Sequence, residues 1–117
     1  MSDESIKLRE ATPTELRLLR ALVQQMPHIR EIAASFNSVL VQPLDDGGMG
    51  SFRIAPLSPG RNQRHFGKVA ATLQFTDKDG VLVLVSLNTD TQGEPFEVDV
   101  WKTDFSPVIC VPEVLPG

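Results

Sequence analysis

The spacing of apolar residues along the chain changes near residue 38. Before that point, Leu16, Leu19, Val23 and Met26 recur every three or four positions, which is the spacing of one face of a helix. Arginine and glutamine side chains fall between them and would lie on the opposite face. The pattern predicts an amphipathic helix.

The start of this helix is encoded in "TPTE", residues 12–15. Thr12 is a favourable N-cap, Pro13 suits the first helical position, and Glu15 stands where it can bond back to the cap. Pro27 ends or bends the helix. A second, shorter stretch, "HIREIAASF" (28–36), repeats the apolar spacing and predicts a second helix that ends at Asn37.

After residue 38 the period becomes two, which predicts strands. The first two segments each contain a proline and are expected at an edge or frayed, whereas the fourth is apolar on both sides, as in an interior strand. In the third, Val69, Ala71, Leu73 and Phe75 are expected on one face. The predicted strands are 39–44, 51–57, 68–75, 81–88 and 95–102.

Asp-x-x-Gly recurs between these segments, at 45–48, 77–80 and 90–93. Aspartate can bond the backbone ahead of it, and glycine takes the left-handed conformation at a hairpin exit, so each copy predicts a turn. The resulting fold class is α+β, with an N-terminal helical pair packed on a twisted antiparallel β-meander of about five strands. The whole of 1–117 is expected to form a single domain.

Composition excludes several classes of protein. The net charge of −4 argues against nucleic acid as the main partner, and no apolar run approaches the about 18 residues of a membrane span. The N-terminus is polar and acidic, unlike a signal peptide. The single cysteine, Cys110, excludes an internal disulfide and is expected in a buried strand, so a cytoplasmic location is predicted.

Charge is unevenly distributed. From Asp77 onward there are eight acidic residues against Lys78 and Lys102. Such a distribution is typical of a solvated outer sheet face, and it also suits a surface that meets a basic partner.

The stretch "DDGGMGS" (45–51), called the glycine loop below, offers three interpretations. A phosphate cradle requires a helix after the glycines, but a strand-like segment follows. A metal loop requires several spaced oxygen ligands, and two adjacent aspartates do not supply them. A hairpin turn is therefore predicted, although its glycines would also let a ligand approach, and Met49 could be tucked into the core or exposed at the tip.

The last predicted strand places Trp101 on the same face as Glu97 and Asp99. An indole among polar groups is typical of an interface anchor; the alternative is that a bulge turns it into a second small core. Asp104 is expected to bond the turn that follows. No nucleophile–base set or zinc set is recognisable, since His28 and His65 lie in unrelated settings.

Two motifs together resemble those of a family of small bacterial proteins classed as a domain of unknown function. They are Asp46 to Ser51 ("DGGMGS") and Trp101 to Pro107 ("WKTDFSP"), with "KLREATPTEL" (7–16) before the helix. The resemblance covers nearly the whole chain and implies a bacterial, cytoplasmic protein. It implies no activity, cofactor or catalytic residue, and the tail "VPEVLPG" (111–117) departs from it.

Two functions remain open at this stage. The first is a non-enzymatic protein-binding module, like an immunity or antitoxin protein, that uses an acidic sheet face around Trp101. The second is a small-molecule binder or enzyme with a pocket at the glycine loop, built from Asp46, Arg53, Asp99 and Asp104. A protein partner is expected rather than nucleic acid or a membrane, with no cofactor, and with monomer and homodimer both open. The binding candidates are Asp46, Gly47, Gly48, Met49, Gly50, Arg53, Glu97, Asp99, Trp101 and Asp104; no catalytic residue and no metal ligand is predicted.

Overall fold

A computed structural model of the protein describes residues 8–26, 39–56 and 63–116. Within these ranges the chain forms one short helix and a six-stranded antiparallel sheet, so the fold is mixed but mostly sheet. The elements are β1 (Arg9–Glu10), α1 (Pro13–Val23), β2 (Leu40–Pro43), β3 (Phe52–Ile54), β4 (Phe66–Thr76), β5 (Leu82–Asp90) and β6 (Pro95–Lys102).

Helix α1 begins with the predicted capping box. The backbone N–H of Glu15 donates to Thr12 Oγ1 at 3.1 Å, and the N–H of Thr12 donates to Glu15 Oε1 at 2.8 Å. Arg9 adds two bonds to the same carboxylate, at 2.7 and 2.8 Å, so strand β1 is tied to the start of the helix. The capping prediction is confirmed.

The buried face of α1 differs slightly from the predicted stripe. Leu18, Leu19, Leu22 and Val23 are buried, whereas the predicted Leu16 and Met26 are only partly buried. The described residues contain this one helix in place of the expected pair. The second predicted helix, 28–36 with its exit at Asn37, lies outside the described residues.

The strand order is β1-β2-β3-β6-β5-β4, which corrects the expected meander. Strands β1, β2 and β3 are consecutive neighbours, and so are β4, β5 and β6. The two halves do not join as a meander, because β3 pairs with β6 and not with β4, through Phe52 opposite Val98 and Arg53 opposite Glu97. Strand β1 was not predicted. It has two residues, which is too short for an alternating pattern to be visible in the sequence.

Pro43 and Pro56 do not place β2 and β3 at an edge of the sheet, so the edge alternative of that prediction is wrong. Pro43 is the last residue of β2, and Pro56 lies beyond the end of β3, so neither interrupts the pairing in the middle of a strand. The long edge is instead β4. Strand β5 is interior, as its apolar pattern predicted.

The core lies between α1 and one face of the sheet, here called the inner face. The side chains of Ala71, Leu73 and Phe75 are buried there, but the predicted Val69 is 53% exposed. A register shift between Val69 and Ala71 explains the difference, since a bulge reverses which face a side chain points to. The core residues of the other strands are Val41, Phe52, Ile54, Val83, Val85, Leu87, Val98 and Val100.

The three Asp-x-x-Gly segments form turns, as predicted. Gly48, Gly80 and Gly93 have φ of 83°, 82° and 85°, values that favour glycine. Asp77 and Asp90 accept backbone N–H groups of their own turns. Each of these two aspartates also forms an ion pair. Asp90 Oδ2 lies 2.9 Å from Arg64 Nε, and the partner of Asp77 is described below.

Candidate functional site

The side chains of strand β6 alternate between the core and the outer face, which is the face of the sheet opposite α1. Val98 and Val100 are buried, whereas Asp99 and Trp101 point away from the core. Trp101 is 41% exposed, so its indole does not form the second small core that was the alternative prediction. The predicted alternation of this strand is confirmed.

Phe105 lies beside Trp101 and extends the exposed aromatic surface. The two ring centroids are 5.9 Å apart with the planes at 49°, and Phe105 is 68% exposed. Phe105 has φ of 66°, a conformation that costs a non-glycine residue about 1–2 kcal/mol. The turn therefore holds an apolar ring in solvent at an energetic cost.

Asp104 and Lys102 hold this turn. Phe105 N–H donates to the carbonyl of Lys102 at 2.8 Å, and Asp104 Oδ1 accepts both Ser106 N–H at 3.0 Å and Ser106 Oγ–H at 2.6 Å. The Ser106 bonds lower the pKa of Asp104. The predicted structural role of Asp104 is confirmed.

A concave surface of about 670 Å³, here called the Trp101 groove, lies beside this aromatic pair. It crosses three strands of the outer face and reaches the β4 edge near Gln25, whose side-chain amide donates to the Thr72 carbonyl at 2.7 Å. Its floor and wall on the outer face are Thr72, Gln74, Leu84, Ser86, Asp99 and Trp101.

Among the described residues, Asp99 is the charged residue that lines the groove, and Glu97 stands two positions before it on the same strand. Glu97 and Asp99 lie on the same face of β6, and Arg53 Nε approaches Glu97 Oε1 at 4.0 Å. Burial, and then the neighbouring Asp99 charge, raise the pKa of Glu97, while the Arg53 charge opposes that rise.

The glycine loop is closed on itself by Asp46. Its carboxylate accepts the backbone N–H groups of Met49 at 3.1 Å, Gly50 at 3.3 Å and Ser51 at 2.9 Å. Burial would raise the pKa of Asp46, but hydrogen bonding by the Ser51 side chain and by these three backbone N–H groups outweighs it and lowers the pKa. Strand β3 follows the loop, so the loop has the form of the predicted turn, with Asp46 rather than Asp45 as the bonding aspartate.

The loop also supports β6 on both sides of Trp101. Ser51 Oγ accepts Val100 N–H at 2.9 Å and lies 3.2 Å from the Val100 carbonyl and 3.4 Å from Asp99 Oδ1. Met49 is half-buried, and its Sδ accepts the N–H of Lys102 at 3.3 Å. Sequence reasoning missed Ser51, which it treated as the first residue of a strand.

A second concave surface, here called the helix cleft, has about 540 Å³ between α1, the glycine loop and residues 108–113. Gly48, Met49 and Gly50 line it, while Gly47 lies in the same loop outside the lining. The predicted pocket residues are not brought together here, because the lining of the cleft does not include Asp46, Arg53, Asp99 or Asp104.

Cys110 lines this cleft and is exposed, which corrects the prediction of a buried strand cysteine. The segment after β6 is not a strand; it is held by backbone bonds to Asp77 and by Val108 N–H donating to the Gly48 carbonyl at 3.3 Å. Pro107 packs against Gly48, where an added Cβ would lie 3.1 Å from Pro107 Cβ.

The described residues were compared with two further kinds of structure, a metal site and a membrane span. Among them, no group of three or more His, Cys, Asp or Glu side chains is arranged to hold a metal ion. Within residues 8–26, 39–56 and 63–116, no helix has the length and apolar character needed to cross a bilayer.

The chain belongs to a family defined as a domain of unknown function, DUF6984, whose model matches residues 8–112. The match includes both the glycine loop and the Trp101 segment. Comparison with curated proteins and with solved structures gave no match.

Proposed function

We propose that the protein is a non-enzymatic binding module that blocks a protein partner through its outer sheet face, in the manner of an immunity or antitoxin protein. The observation that carries the proposal is the exposed pair of Trp101 and Phe105 beside the Trp101 groove. Buried aromatic anchors dominate the energy of many protein interfaces. A ring held in solvent by a strained turn is otherwise a cost to the free protein.

The charge of the face specifies the partner. Glu97 and Asp99 alternate with the buried residues of β6 on the same face as Trp101, Asp104 directly precedes Phe105 in the turn, and Arg53 lies 4.0 Å from Glu97. A partner with a basic contact surface would be steered towards this face and would pair with its carboxylates. Binding to such a partner weakens as salt is added, because exposed charges are screened.

In vivo photo-crosslinking tests the proposal. A photoreactive residue is placed at Leu84, in the groove, and in a matched chain at Val114, which is 87% exposed on the C-terminal segment. We expect a defined partner to be captured from Leu84 and not from Val114. Changing Trp101→Ala together with Asp99→Ala removes that product.

The captured partner is then purified and its affinity measured. Loss of a central tryptophan typically costs at least about 2 kcal/mol, which is about 30-fold in Kd. Capture of the same proteins from Val114, or from the double variant, would contradict the proposal. An affinity that does not change between low and high salt would contradict the basic character of the partner.

A second candidate function, small-molecule binding, is favoured by the helix cleft. Its volume of about 540 Å³ falls within the range of about 300–1,000 Å³ typical of ligand sites. The glycines of its glycine-loop wall carry no side chains, and Ile109 and Cys110 also line the cleft. A ligand for this cleft would raise the thermal stability of the protein in a concentration-dependent way.

A further inference from the structure

The helix cleft combines apolar walls with one guanidinium. Leu18, Val100, Val108 and Ile109 contribute apolar side chains, and Arg17 enters from α1. Thr12, Thr14, Glu15 and Glu113 also line the cleft, so Arg17 is the one cation among the described residues of the lining. Apolar walls with a limited number of polar groups are the usual composition of a small-molecule site. The character of the ligand therefore depends on the state of Arg17.

Arg17 differs from other arginines of the described chain in its partners. Arg9, Arg53 and Arg64 each lie within ion-pair distance of a carboxylate, at 2.7, 4.0 and 2.9 Å. Arg17 instead donates from Nη2 to the carbonyl of Val111 at 3.3 Å. Its buried Nε has no hydrogen-bond partner among the described residues.

The carboxylates that line the cleft do not neutralise Arg17. Both oxygens of Glu15 are already bonded, to Arg9 and to the N–H of Thr12. Glu113 also lines the cleft, but within the described part of the chain it forms no ion pair with Arg17 within 4.0 Å. A half-buried cation without a counter-charge is costly, and an oxyanion in the cleft would remove that cost.

We propose that the helix cleft binds a small molecule with an apolar body and a single oxyanion head, with the head on the Arg17 guanidinium and the body against Leu18, Val108 and Ile109. This inference rests on the second candidate function and is independent of the Trp101 groove. Carboxylate and phosphate heads share the required chemistry, because the planar fork of arginine matches both.

Cys110 provides a direct measure of occupancy. It is the only cysteine of the chain, it is exposed, and it lines the cleft. A molecule bound against Ile109 therefore shields its thiol, so the rate of alkylation by a maleimide reports binding without knowledge of the natural ligand.

The experiment uses the full chain with octanoate, octyl phosphate and the neutral octanol as probes. We expect octanoate or octyl phosphate to slow Cys110 alkylation at least threefold at concentrations where octanol has little effect. Arg17→Met should abolish the preference for the anionic head, and Arg17→Lys should retain it in weaker form. Arg20→Met is the matched control, since Arg20 is exposed on the same helix and does not line the cleft.

The outcomes separate the inference from the function on which it rests. Equal protection by octanol and octanoate would leave a ligand cleft but overturn the oxyanion inference. Absence of protection by every probe at millimolar concentration would overturn both. If Arg17→Met does not fold, Arg17→Lys decides the result, because it keeps the charge and the stem of the side chain. Absence of the anion preference in Arg17→Lys would overturn the inference. Loss of that preference in Arg20→Met would overturn it as well.

Discussion

Lys102 Nζ lies 2.8 Å from Asp77 Oδ2, and the side chains of both residues are completely buried. The same carboxylate accepts the backbone N–H groups of Ile109 at 2.7 Å and Cys110 at 3.0 Å. Lys102 also reaches Asp79 Oδ2 at 2.6 Å. One aspartate thus joins the β4–β5 turn, the end of β6 and the segment that forms one side of the helix cleft.

Asp77→Ala should be strongly destabilising. Removal of one partner from a buried ion pair costs about 3–5 kcal/mol, because the other charge is left without compensation. Here the backbone of residues 109 and 110 also loses its acceptor. The free energy of unfolding, measured by urea denaturation, should fall by this amount.

Asp79→Ala is the matched control for that change. Asp79 contacts the same ammonium but is 35% exposed in its side chain and belongs to the same turn. An exposed or half-exposed ion pair typically contributes less than about 1 kcal/mol. Equal losses in the two variants would show that the buried carboxylate is not the centre of this network.

The same residue gives the stability a defined pH dependence. Burial alone would raise the pKa of Asp77, but bonds from Ile109, Lys102, Lys78 and Cys110 outweigh it and hold the pKa far below its ordinary value of 3.8. A carboxyl whose pKa is lower in the folded state stabilises the fold above its unfolded pKa. That stability is lost as the pH falls towards the folded pKa.

The difference in stability between wild type and Asp77→Asn should therefore be constant from pH 7 to pH 5 and shrink as the pH falls below the ordinary value of 3.8. Urea denaturation at pH 7, 5, 4 and 3 measures it. A difference that grows on acidification would have the wrong sign and would refute the pairing.

Local patterns were sufficient to predict the parts of the fold that local chemistry determines. The capping box at Thr12, the left-handed turn glycines and the alternation around Trp101 each depend on neighbours within a few residues. The pairing of β3 with β6 was not predictable, because Phe52 and Val98 lie far apart in sequence and either strand could pair with several others.

The candidate site shows the same division. Trp101 and Asp99 were identified from alternation alone, whereas Ser51 and Lys102 acquire their roles only from partners across the sheet. A lysine at a strand end is usually exposed, and nothing in the sequence indicates that Lys102 turns inward. Arg17 was likewise assigned only to the polar side of its helix. Its place in the helix cleft depends on residues from the end of the chain, which helical spacing does not reveal.

Ser51→Ala should destabilise the protein and loosen β6. The hydroxyl accepts the N–H of Val100 at 2.9 Å in a buried setting, and loss of such a partner costs about 1–3 kcal/mol. Urea denaturation measures the loss. Ser106→Ala is a suitable control, because Ser106 bonds only to its own solvent-facing turn and should cost less; an equal or smaller loss for Ser51→Ala would contradict its bridging role.

Gly67→Ala should be more damaging than Gly80→Ala. An added Cβ at Gly67 would lie 2.3 Å from the backbone oxygen of Asp90, and strands β4 and β5 would have to separate there. Overpacking typically costs about 1–3 kcal/mol, and a clash with backbone atoms, which cannot rotate away, belongs at the upper end of that range. Gly80 has open space, and its φ of 82° costs alanine only about 1–2 kcal/mol. Thermal unfolding ranks the two, and the reverse order would show that β4 does not approach β5 so closely.

The fluorescence of Trp101 should report the outer face directly, because it is the only tryptophan in the chain. With 41% of its surface exposed, it should be quenched by acrylamide in the free protein. Phe105→Ala should increase the quenching constant, since Phe105 covers one side of the indole at 5.9 Å. Ile109→Ala removes another exposed apolar side chain, 59% exposed against 68% for Phe105, and should leave quenching unchanged. Quenching that appears only on dilution would mean that a second copy covers this face, and an indole that stays protected at every concentration would exclude Trp101 as a free anchor.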